Sequence, residues 1–270
     1  MTAQRGDVER DYARINGLEI YYEVHGTGKP LVLLHGGYGS TGMFSQIMGK
    51  LSENRRVIAV DLQGHGRTAI TDRPMTLDAL ADDVAELVHH LEYESADIMG
   101  YSLGGMVALR TAMRHPEVVE RLVVVSAGFR RSGFYPEVRA GMDRKGPEVV
   151  EWMKGTPMYE AYVKVAPRKE DWPKFVERLG DLVRTDYDWS EDAAKLKMPV
   201  MLVYGDADAI RTSHAVEFFE LLGGGKRDAG WDCSGMSTAR LAILPGVTHY
   251  NIFMADALAS TAVAFLDGPI

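Results

Sequence analysis

Six short, mainly apolar runs separated by segments of helical periodicity constrain the fold of this chain more than any other feature. The runs cover residues 31–34, 57–60, 96–99, 122–125, 200–204 and 241–244. A strand covered on both faces needs such a continuous run, because neither of its faces meets water. The runs therefore predict parallel strands in the interior of one sheet.

The segments between these runs have the period of amphipathic helices. Thr76 is suited to cap a helix that begins at Leu77, and further helices are predicted at residues 103–114, 213–222 and 254–265. Strands that alternate with helices predict a doubly wound α/β fold with a mostly parallel sheet. The pair Asn16-Gly17 lies between two strand-like segments and predicts an antiparallel hairpin at the edge of that sheet.

Residues 128–195 break the alternation, because this stretch contains no convincing strand-like run. Two segments within it, 148–165 and 174–185, have a helical pattern. We predict a core formed by residues 1–127 and 196–270, and a helical cap formed by residues 128–195 above the carboxyl ends of the strands. The long connection at residues 223–239 is interpreted as either functional or mobile.

Composition narrows the possible partners and compartments. The net charge of −8 makes nucleic acid and anionic membrane surfaces unsuitable partners, because the long-range field repels both. The amino-terminal segment is polar, and no apolar run reaches the ~20 residues that span a bilayer, so a cytoplasmic protein is expected. Cys233 is the single cysteine, which excludes an internal disulfide and a thiolate metal cluster. No metal or cofactor is predicted.

A serine in the run GYSLGG, residues 100–105, is a candidate nucleophile. The run follows the predicted strand 96–99 and leads into the predicted helix 103–114. So sharp a turn strains the serine backbone and requires small neighbours, which Gly100 and Gly104 supply. The Ser102 hydroxyl would lie at the end of the sheet, beside the positive end of a helix. The alternative interpretation is a glycine-rich turn in which the serine has no catalytic role.

An acid and a base follow later strands, as a serine nucleophile requires. A serine hydroxyl needs a base at neutral pH, and that base needs an acid to orient it. Asp206 and Asp208 follow the strand 200–204, and His249 follows the strand 241–244. The order serine, acid, histidine, each after its own strand, is that of the α/β-hydrolase arrangement.

Over essentially its full length the chain resembles capped serine α/β-hydrolases. The resemblance implies that Ser102 is the nucleophile and His249 the base. It implies that Asp208, which closes a G-x-x-D turn, is the acid, and Asp206 remains the alternative. Thr248 stands where the family usually has glycine before the histidine.

The resemblance also implies an oxyanion hole and gives a structural role to other motifs. The run LLHGGYGS resembles the family's HG-x turn, so the amides of Gly37 and Leu103 are the predicted donors, with Tyr38 as the alternative to Gly37. The run DLQGHGRT resembles a family turn in which Asp61 binds backbone amides. His35 and His65 are expected to make structural hydrogen bonds. The remaining histidines are expected at the surface or at helix caps, namely His25, His89, His90, His115 and His214.

An ester of a small, partly apolar compound is the expected substrate. The substrate-binding residues predicted for it are Tyr38, Tyr101, Phe129, Trp152 and Met158, although cap helices also need apolar residues for their own packing. Related dehalogenases and epoxide hydrolases carry aspartate where this chain has Ser102. Carbon–carbon bond hydrolases usually have tryptophan where it has Tyr250. The other interpretations are a carbon–carbon bond hydrolase, a lactonase, an amidase, a cofactor-free perhydrolase or a small-ligand receptor with little turnover.

Overall fold

One eight-stranded sheet forms the centre of the protein. The computed structural model describes residues 8–144 and 146–269, so residues 1–7 of the polar amino-terminal segment lie outside the described residues. The strands are β1 (Glu9–Ile15), β2 (Leu18–His25), β3 (Lys29–Leu34), β4 (Arg55–Val60), β5 (Ala96–Tyr101), β6 (Val119–Val125), β7 (Val200–Ala207) and β8 (Ala239–Thr248). Their order is β1-β2-β4-β3-β5-β6-β7-β8, and β3 to β8 are parallel. The predicted doubly wound, mostly parallel sheet is confirmed.

The first two strands form the predicted antiparallel hairpin at the sheet edge. Asn16 and Gly17 both have positive φ, 49° and 81°, and join β1 to β2 at the pair Ile15–Leu18. Two consecutive left-handed residues match the twist of a two-residue hairpin, which explains the choice of asparagine and glycine.

Helices cover both faces of the sheet. They are α1 (Met48–Leu51), α2 (Leu77–His90), α3 (Leu103–Arg114), α4 (Pro136–Met142), α5 (Pro147–Met153), α6 (Pro157–Val165), α7 (Trp172–Arg184), α8 (Ser190–Ala193), α9 (Thr212–Leu221) and α10 (Asp256–Asp267). The Thr76 hydroxyl accepts a hydrogen bond of 3.1 Å from the Ala79 amide, as expected of the α2 cap. No described helix combines the length and the apolar composition that crossing a bilayer requires.

The apolar core forms two layers, one on each face of the sheet. Alternate residues of β3 enter different layers: Val32 and Leu34 pack in one, and Leu31 and Leu33 pack in the other. The first layer includes buried residues of α2, α3 and α9, and the second includes those of α1 and α10. Burial on both faces explains why the strand runs are continuously apolar.

The segment between β6 and β7, which was predicted as the cap, contains α4 to α8. Helices α4, α5 and α6 begin at Pro136, Pro147 and Pro157, where the fixed φ of proline suits the first helical position. The two ends of this segment are hydrogen-bonded to each other. The Trp189 amide donates to the Phe129 carbonyl at 2.8 Å, and the Arg131 amide donates to the Tyr187 carbonyl at 3.0 Å.

The cap helices differ in how much of their surface they bury. On α4 no residue is buried, on α5 Met153 is, and on α6 Tyr162 is. Helix α7 instead buries Trp172, Phe175, Val176, Leu179 and Leu182. Helix α7 is therefore packed as part of the protein interior, whereas α4, α5 and α6 lie mostly at the surface.

Candidate active site

The turn between β5 and α3 holds Ser102 in a strained conformation. Its φ is 53° and its ψ is −115°, which a residue other than glycine rarely adopts. The two flanking glycines are required, because a Cβ on Gly100 would lie 2.0 Å from the Gly104 carbonyl oxygen and a Cβ on Gly104 would lie 2.3 Å from that of Leu34. The turn presents the Ser102 hydroxyl at the carboxyl ends of the strands.

The structure brings Ser102, His249 and Asp208 into one chain of hydrogen bonds. The Ser102 hydroxyl lies 3.0 Å from His249 Nε2, and His249 Nδ1 lies 2.9 Å from Asp208 Oδ1. In this arrangement Nδ1 donates to the carboxylate, which leaves Nε2 to accept the serine proton. The residues come from three different strand ends, as the sequence predicted.

Asp208 is held as a carboxylate by several donors. Oδ1 also accepts from the Ile210 amide at 3.1 Å, and Oδ2 accepts from the Gly205 amide at 3.1 Å and from the Ser126 hydroxyl. Burial raises the pKa of the Asp208 carboxyl. The hydrogen bonds from His249, Ser126 and Gly205, together with the charge of His249, outweigh burial and leave that pKa below its ordinary value.

Asp206, the alternative acid, binds a different part of the chain. Its carboxylate accepts from the amides of Gly246 at 3.0 Å and Val247 at 3.2 Å, so it ties the end of β7 to β8. The last strand was predicted at residues 241–244, but β8 continues to Thr248, with an irregular register and Gly246 at φ 70°.

Ser126 is a polar partner of the site that sequence reasoning missed. It follows β6 directly, is fully buried and has φ 52°. The signal that could have found it is its position, since β6 ends between β5, which carries the nucleophile, and β7, which carries the acid.

The predicted oxyanion donors lie next to Ser102. Leu103 is the first residue of α3, where the amides have no partner within the helix and the helix dipole favours negative charge. The loop that carries Gly37 passes close to the nucleophile, because a Cβ on Gly36 would lie 3.4 Å from the Ser102 Cβ. The arrangement suits a negative charge that develops on a carbonyl oxygen beside Ser102.

The Asp61 carboxylate binds backbone amides close to the loop that carries Gly37. Asp61 accepts from the Thr41 amide at 2.6 Å and from the Arg67 amide at 2.8 Å, which is the backbone-binding role expected for it. Burial raises the pKa of the Asp61 carboxyl to about 6, against the lowering effect of the two amides.

A cavity of about 1860 Å³ lies between the strand ends and the cap, with Ser102 and His249 in its wall. Gly37 and four of the predicted substrate-binding residues also line it, namely Tyr38, Tyr101, Trp152 and Met158. Tyr101 has a further contact: its hydroxyl donates to the His249 carbonyl at 2.6 Å and so fixes the loop of the base.

Two sequence predictions are wrong, and they concern a single buried contact. Phe129 does not line the cavity; it is 1% exposed and stacks on the His214 ring with centroids 4.4 Å apart. His214 is not a surface residue but is also 1% exposed, and burial lowers its pKa to about 4. Together they pack the first residues of the cap segment against α9.

His35 and His65 make structural hydrogen bonds, as predicted. His35 donates through Nδ1 to the Gly36 carbonyl at 2.8 Å and accepts through Nε2 from the Leu62 amide at 3.2 Å. His65 donates to the Gln63 carbonyl at 3.0 Å.

Among residues 8–144 and 146–269, no group of three or more His, Cys, Asp or Glu side chains has the arrangement of a metal site. Cys233 is exposed, outside the residues that line the cavity.

A model of the alpha/beta hydrolase family matches residues 31–261, which is most of the chain. The chain belongs to the alpha/beta hydrolase family. This hydrolase is 38% identical over 122 residues to a soluble epoxide hydrolase of Corynebacterium sp. (strain C12), a match that covers 44% of this chain and 42% of that relative. It is 28% identical over 217 residues to the AB hydrolase superfamily protein YisY of Bacillus subtilis (strain 168), with 71% of this chain and 78% of the relative covered. The chain thus matches less than half the length of the first relative.

Solved structures have the same fold at low sequence identity. The enol-lactonase from Burkholderia xenovorans LB400 has a TM-score of 0.71 and 24% identity, with 95% of this hydrolase and all (100%) of that chain covered. The carboxylesterase CesB (YbfK) from Bacillus subtilis has a TM-score of 0.71 and 21% identity, with 98% of this hydrolase and 93% of that chain covered. Membership of this family supports hydrolase activity, and these two structures bear on the fold alone.

Proposed function

We propose that this hydrolase cleaves carboxylic esters of small, partly apolar compounds through an acyl-enzyme intermediate on Ser102. The observation that carries the proposal is the continuous contact from the Ser102 hydroxyl through His249 to Asp208, in the wall of a cavity. A serine hydroxyl with a base at 3.0 Å and a buried carboxylate behind that base is suited to nucleophilic attack on an acyl carbon.

In the proposed reaction, Ser102 Oγ attacks the acyl carbon while its proton moves to His249 Nε2. Asp208 stabilises the imidazolium, and the amides of Gly37 and Leu103 donate to the oxyanion. The intermediate collapses as His249 returns the proton to the alcohol oxygen, which leaves as the alcohol. Water then attacks the acyl-enzyme, His249 accepts its proton, and the carboxylic acid is released with Ser102 restored.

The residue at the elbow argues for acyl chemistry over epoxide opening. Relatives that open epoxides or remove halides are expected to use a carboxylate nucleophile at this turn, and Ser102 has a hydroxyl there. The similarity to a soluble epoxide hydrolase covers 44% of the chain and says nothing of the nucleophile used here.

The cavity supports a substrate with an apolar part. Apolar and aromatic side chains from both sides contribute to its wall, among them Tyr38, Met43, Met142 and Phe253. Nucleic acid and membrane surfaces stay outside the proposal because the net charge is −8. A cytoplasmic location is part of the proposal and rests on composition.

Labelling and turnover with Ser102→Ala test the proposal. We expect the unaltered protein to react with a fluorophosphonate at Ser102 and to hydrolyse p-nitrophenyl butyrate with a burst and sustained turnover. Ser102→Ala should lower turnover by about 10⁵ to 10⁶ with the fold intact, and the exposed Ser45→Ala should behave as the unaltered protein. Near-normal turnover by Ser102→Ala would overturn the assignment.

A substrate panel separates the ester proposal from other uses of the same residues. We expect acyl p-nitrophenyl esters to be cleaved faster than lactones, amides or vinylogous diketones. Preference for one of those three classes would overturn the ester assignment while keeping the nucleophile. Absence of both labelling and turnover would overturn the enzymatic proposal and favour a ligand-binding protein.

A further inference from the structure

We propose that helix α7 of the cap positions the oxyanion site, because Phe175 and Leu179 hold the backbone of Gly37 and Tyr38 in place. This inference rests on the proposed function. It makes Phe175 and Leu179 positioning residues, which act on the reaction through the loop that carries the predicted donors.

Tyr38 has a backbone conformation that its surroundings must stabilise. Its φ is 60°, in the left-handed region that residues other than glycine seldom adopt. The Tyr38 ring packs against two side chains of α7, with centroids 5.9 Å from Trp172 and 5.6 Å from Phe175. Both side chains are fully buried. Helix α7 therefore holds the ring of the residue whose backbone follows Gly37.

Leu179 lies beside the predicted donor residue. Its Cδ2 lies 3.6 Å from the position that a Cβ on Gly37 would take, so Leu179 borders the space next to the Gly37 backbone. Leu179 is 1% exposed, so it lies in the protein interior. A shorter side chain here would leave a cavity directly over the Gly37 backbone.

Phe175 also joins α7 to a second turn beneath the oxyanion loop. Its ring centroid lies 4.6 Å from that of His65, and its Cδ2 lies 3.0 Å from where a Cβ on Gly64 would be. His65 in turn lies 4.9 Å from His35, which directly precedes the oxyanion loop. Helix α7 thus packs directly against the loop of Gly37 and Tyr38. Through His65 it is also connected to His35, the residue that precedes this loop.

The side chains that make these contacts are separate from the substrate cavity. Neither Phe175 nor Leu179 lines it, whereas their neighbours Val176 and Gly180 do. One face of α7 therefore meets the cavity and another face meets the oxyanion loop. A change on the second face should alter the stabilisation of the oxyanion without altering the binding of the ground-state substrate.

Leu179→Ala and Leu182→Ala form a matched pair for the test. Both leucines lie on α7, both are buried at 1% and 5% exposure, and neither lines the cavity. Leu179 lies 3.6 Å from the Cβ position of Gly37, whereas no atom of Leu182 lies within 4 Å of that position. The readouts are the rate at which a fluorophosphonate labels Ser102, the inhibition constant of an alkyl boronic acid, and kcat and KM for p-nitrophenyl butyrate.

Leu179→Ala should lower the labelling rate and kcat about 10- to 100-fold and weaken the boronic acid in parallel, with KM within about twofold. The range is set by the 10²- to 10³-fold loss on removing one oxyanion donor, since a displaced donor loses part of its effect. Leu182→Ala should stay within about threefold in every readout. If Leu179→Ala does not fold, Phe175→Leu serves in its place and should give the same loss, because it stays apolar but lacks the ring that packs on Tyr38.

Equal losses in the two leucine variants, or a raised KM with kcat unchanged, would overturn the positioning role. An unchanged labelling rate in Phe175→Leu would overturn it as well. Failure of the unaltered protein to react with the fluorophosphonate would instead defeat the proposed function, so the two failures are distinguishable.

Discussion

The rim of the sheet and the outer cap helices α4, α5 and α6 border the same cavity but hold their side chains very differently. At the rim, Asp208 and His249 are each 8% exposed and share a hydrogen bond, and Asp208 accepts three others. On the outer cap helices, Trp152 is 68% exposed and Met158 is 45% exposed. Well-packed interiors respond to small changes of volume, and exposed side chains mostly do not.

This difference indicates which substitutions should affect catalysis and which should affect substrate recognition. Substitutions at the rim should change turnover, because each group there has several fixed partners. Substitutions on the outer cap helices should change which substrates bind, with little effect on the stability of the fold. Helix α7 belongs with the rim in this respect, although the chain order places it in the cap.

Among the tests of this comparison between rim and outer cap, the two neighbouring aspartates should give the largest difference in kcat. Asp208→Asn should lower kcat by about 10⁴, because a neutral amide cannot stabilise the imidazolium or hold its tautomer. Asp206→Asn should lower kcat less than about tenfold, because Asp206 accepts from the amides of Gly246 and Val247, whereas His249 Nδ1 binds Asp208. Steady-state kinetics of both variants make the comparison. The reverse order of the two losses would move the acid by two positions.

A smaller effect is expected when the support of Asp208 is removed. Ser126→Ala should lower kcat about tenfold, because one donor to the carboxylate is lost. The pKa of Asp208, now below its ordinary value, should rise, so its carboxyl should bind a proton at a higher pH. Steady-state kinetics check the loss of kcat, and an NMR titration of the Asp208 carboxyl checks the rise of its pKa.

A second substitution at this position separates the hydroxyl from the backbone strain. Ser126→Gly also lacks the hydroxyl but accepts φ 52° without strain. The same rise of the Asp208 pKa in both variants would assign the effect to the hydroxyl. An Asp208 pKa unchanged in both variants would contradict the role given to Ser126.

The outer cap helices should give a weaker effect of another kind. Trp152→Ala should raise KM for longer acyl esters about threefold and leave kcat within about twofold, because this exposed ring borders the cavity away from the rim. The melting temperature should change little. A large fall in kcat with KM unchanged would contradict the division between rim and outer cap.

The smallest effect concerns stability at acidic pH. Burial lowers the pKa of His214 in the folded protein to about 4, whereas its pKa in the unfolded chain is ~6.5. Between these two pH values the unfolded chain binds a proton that the folded protein does not bind. Stability should therefore fall as pH falls through this window. His214→Leu should make the pH dependence of the urea-unfolding free energy shallower by about one proton. Parallel curves for the two proteins would contradict this origin.

The sequence was sufficient for most of the fold and for bringing the candidate triad together. Each member follows an apolar run, and the carboxyl ends of parallel strands meet at one rim, so local patterns implied a spatial relation. The glycines around Ser102 carry further information, because each lies where another backbone leaves no space for a Cβ.

The contacts of Phe129, His214 and Ser126 could not be predicted from local sequence patterns in the same way. A buried histidine depends on residues far away in the chain: a Cβ on Gly128 would lie 2.8 Å from a His214 ring atom, and one on Gly133 would lie 2.4 Å from another. The residues next to these two glycines in the sequence do not indicate that the His214 ring lies beside them. His214 and Phe218 lie four positions apart on α9 and share a face, which is the one local hint of burial.

The hydrogen-bonded base of the cap segment has a consequence for how this protein can be altered. Since the chain leaves the sheet near Phe129 and returns near Trp189 at adjacent points, the ends of the insertion are already joined. The outer helices α4, α5 and α6 between these points can therefore be exchanged, provided that α7 is kept, because α7 is packed in the interior. Replacing α4 to α6 by an unrelated stretch of different length should leave the strands undisturbed, because the entropy of closing the loop depends only weakly on its length.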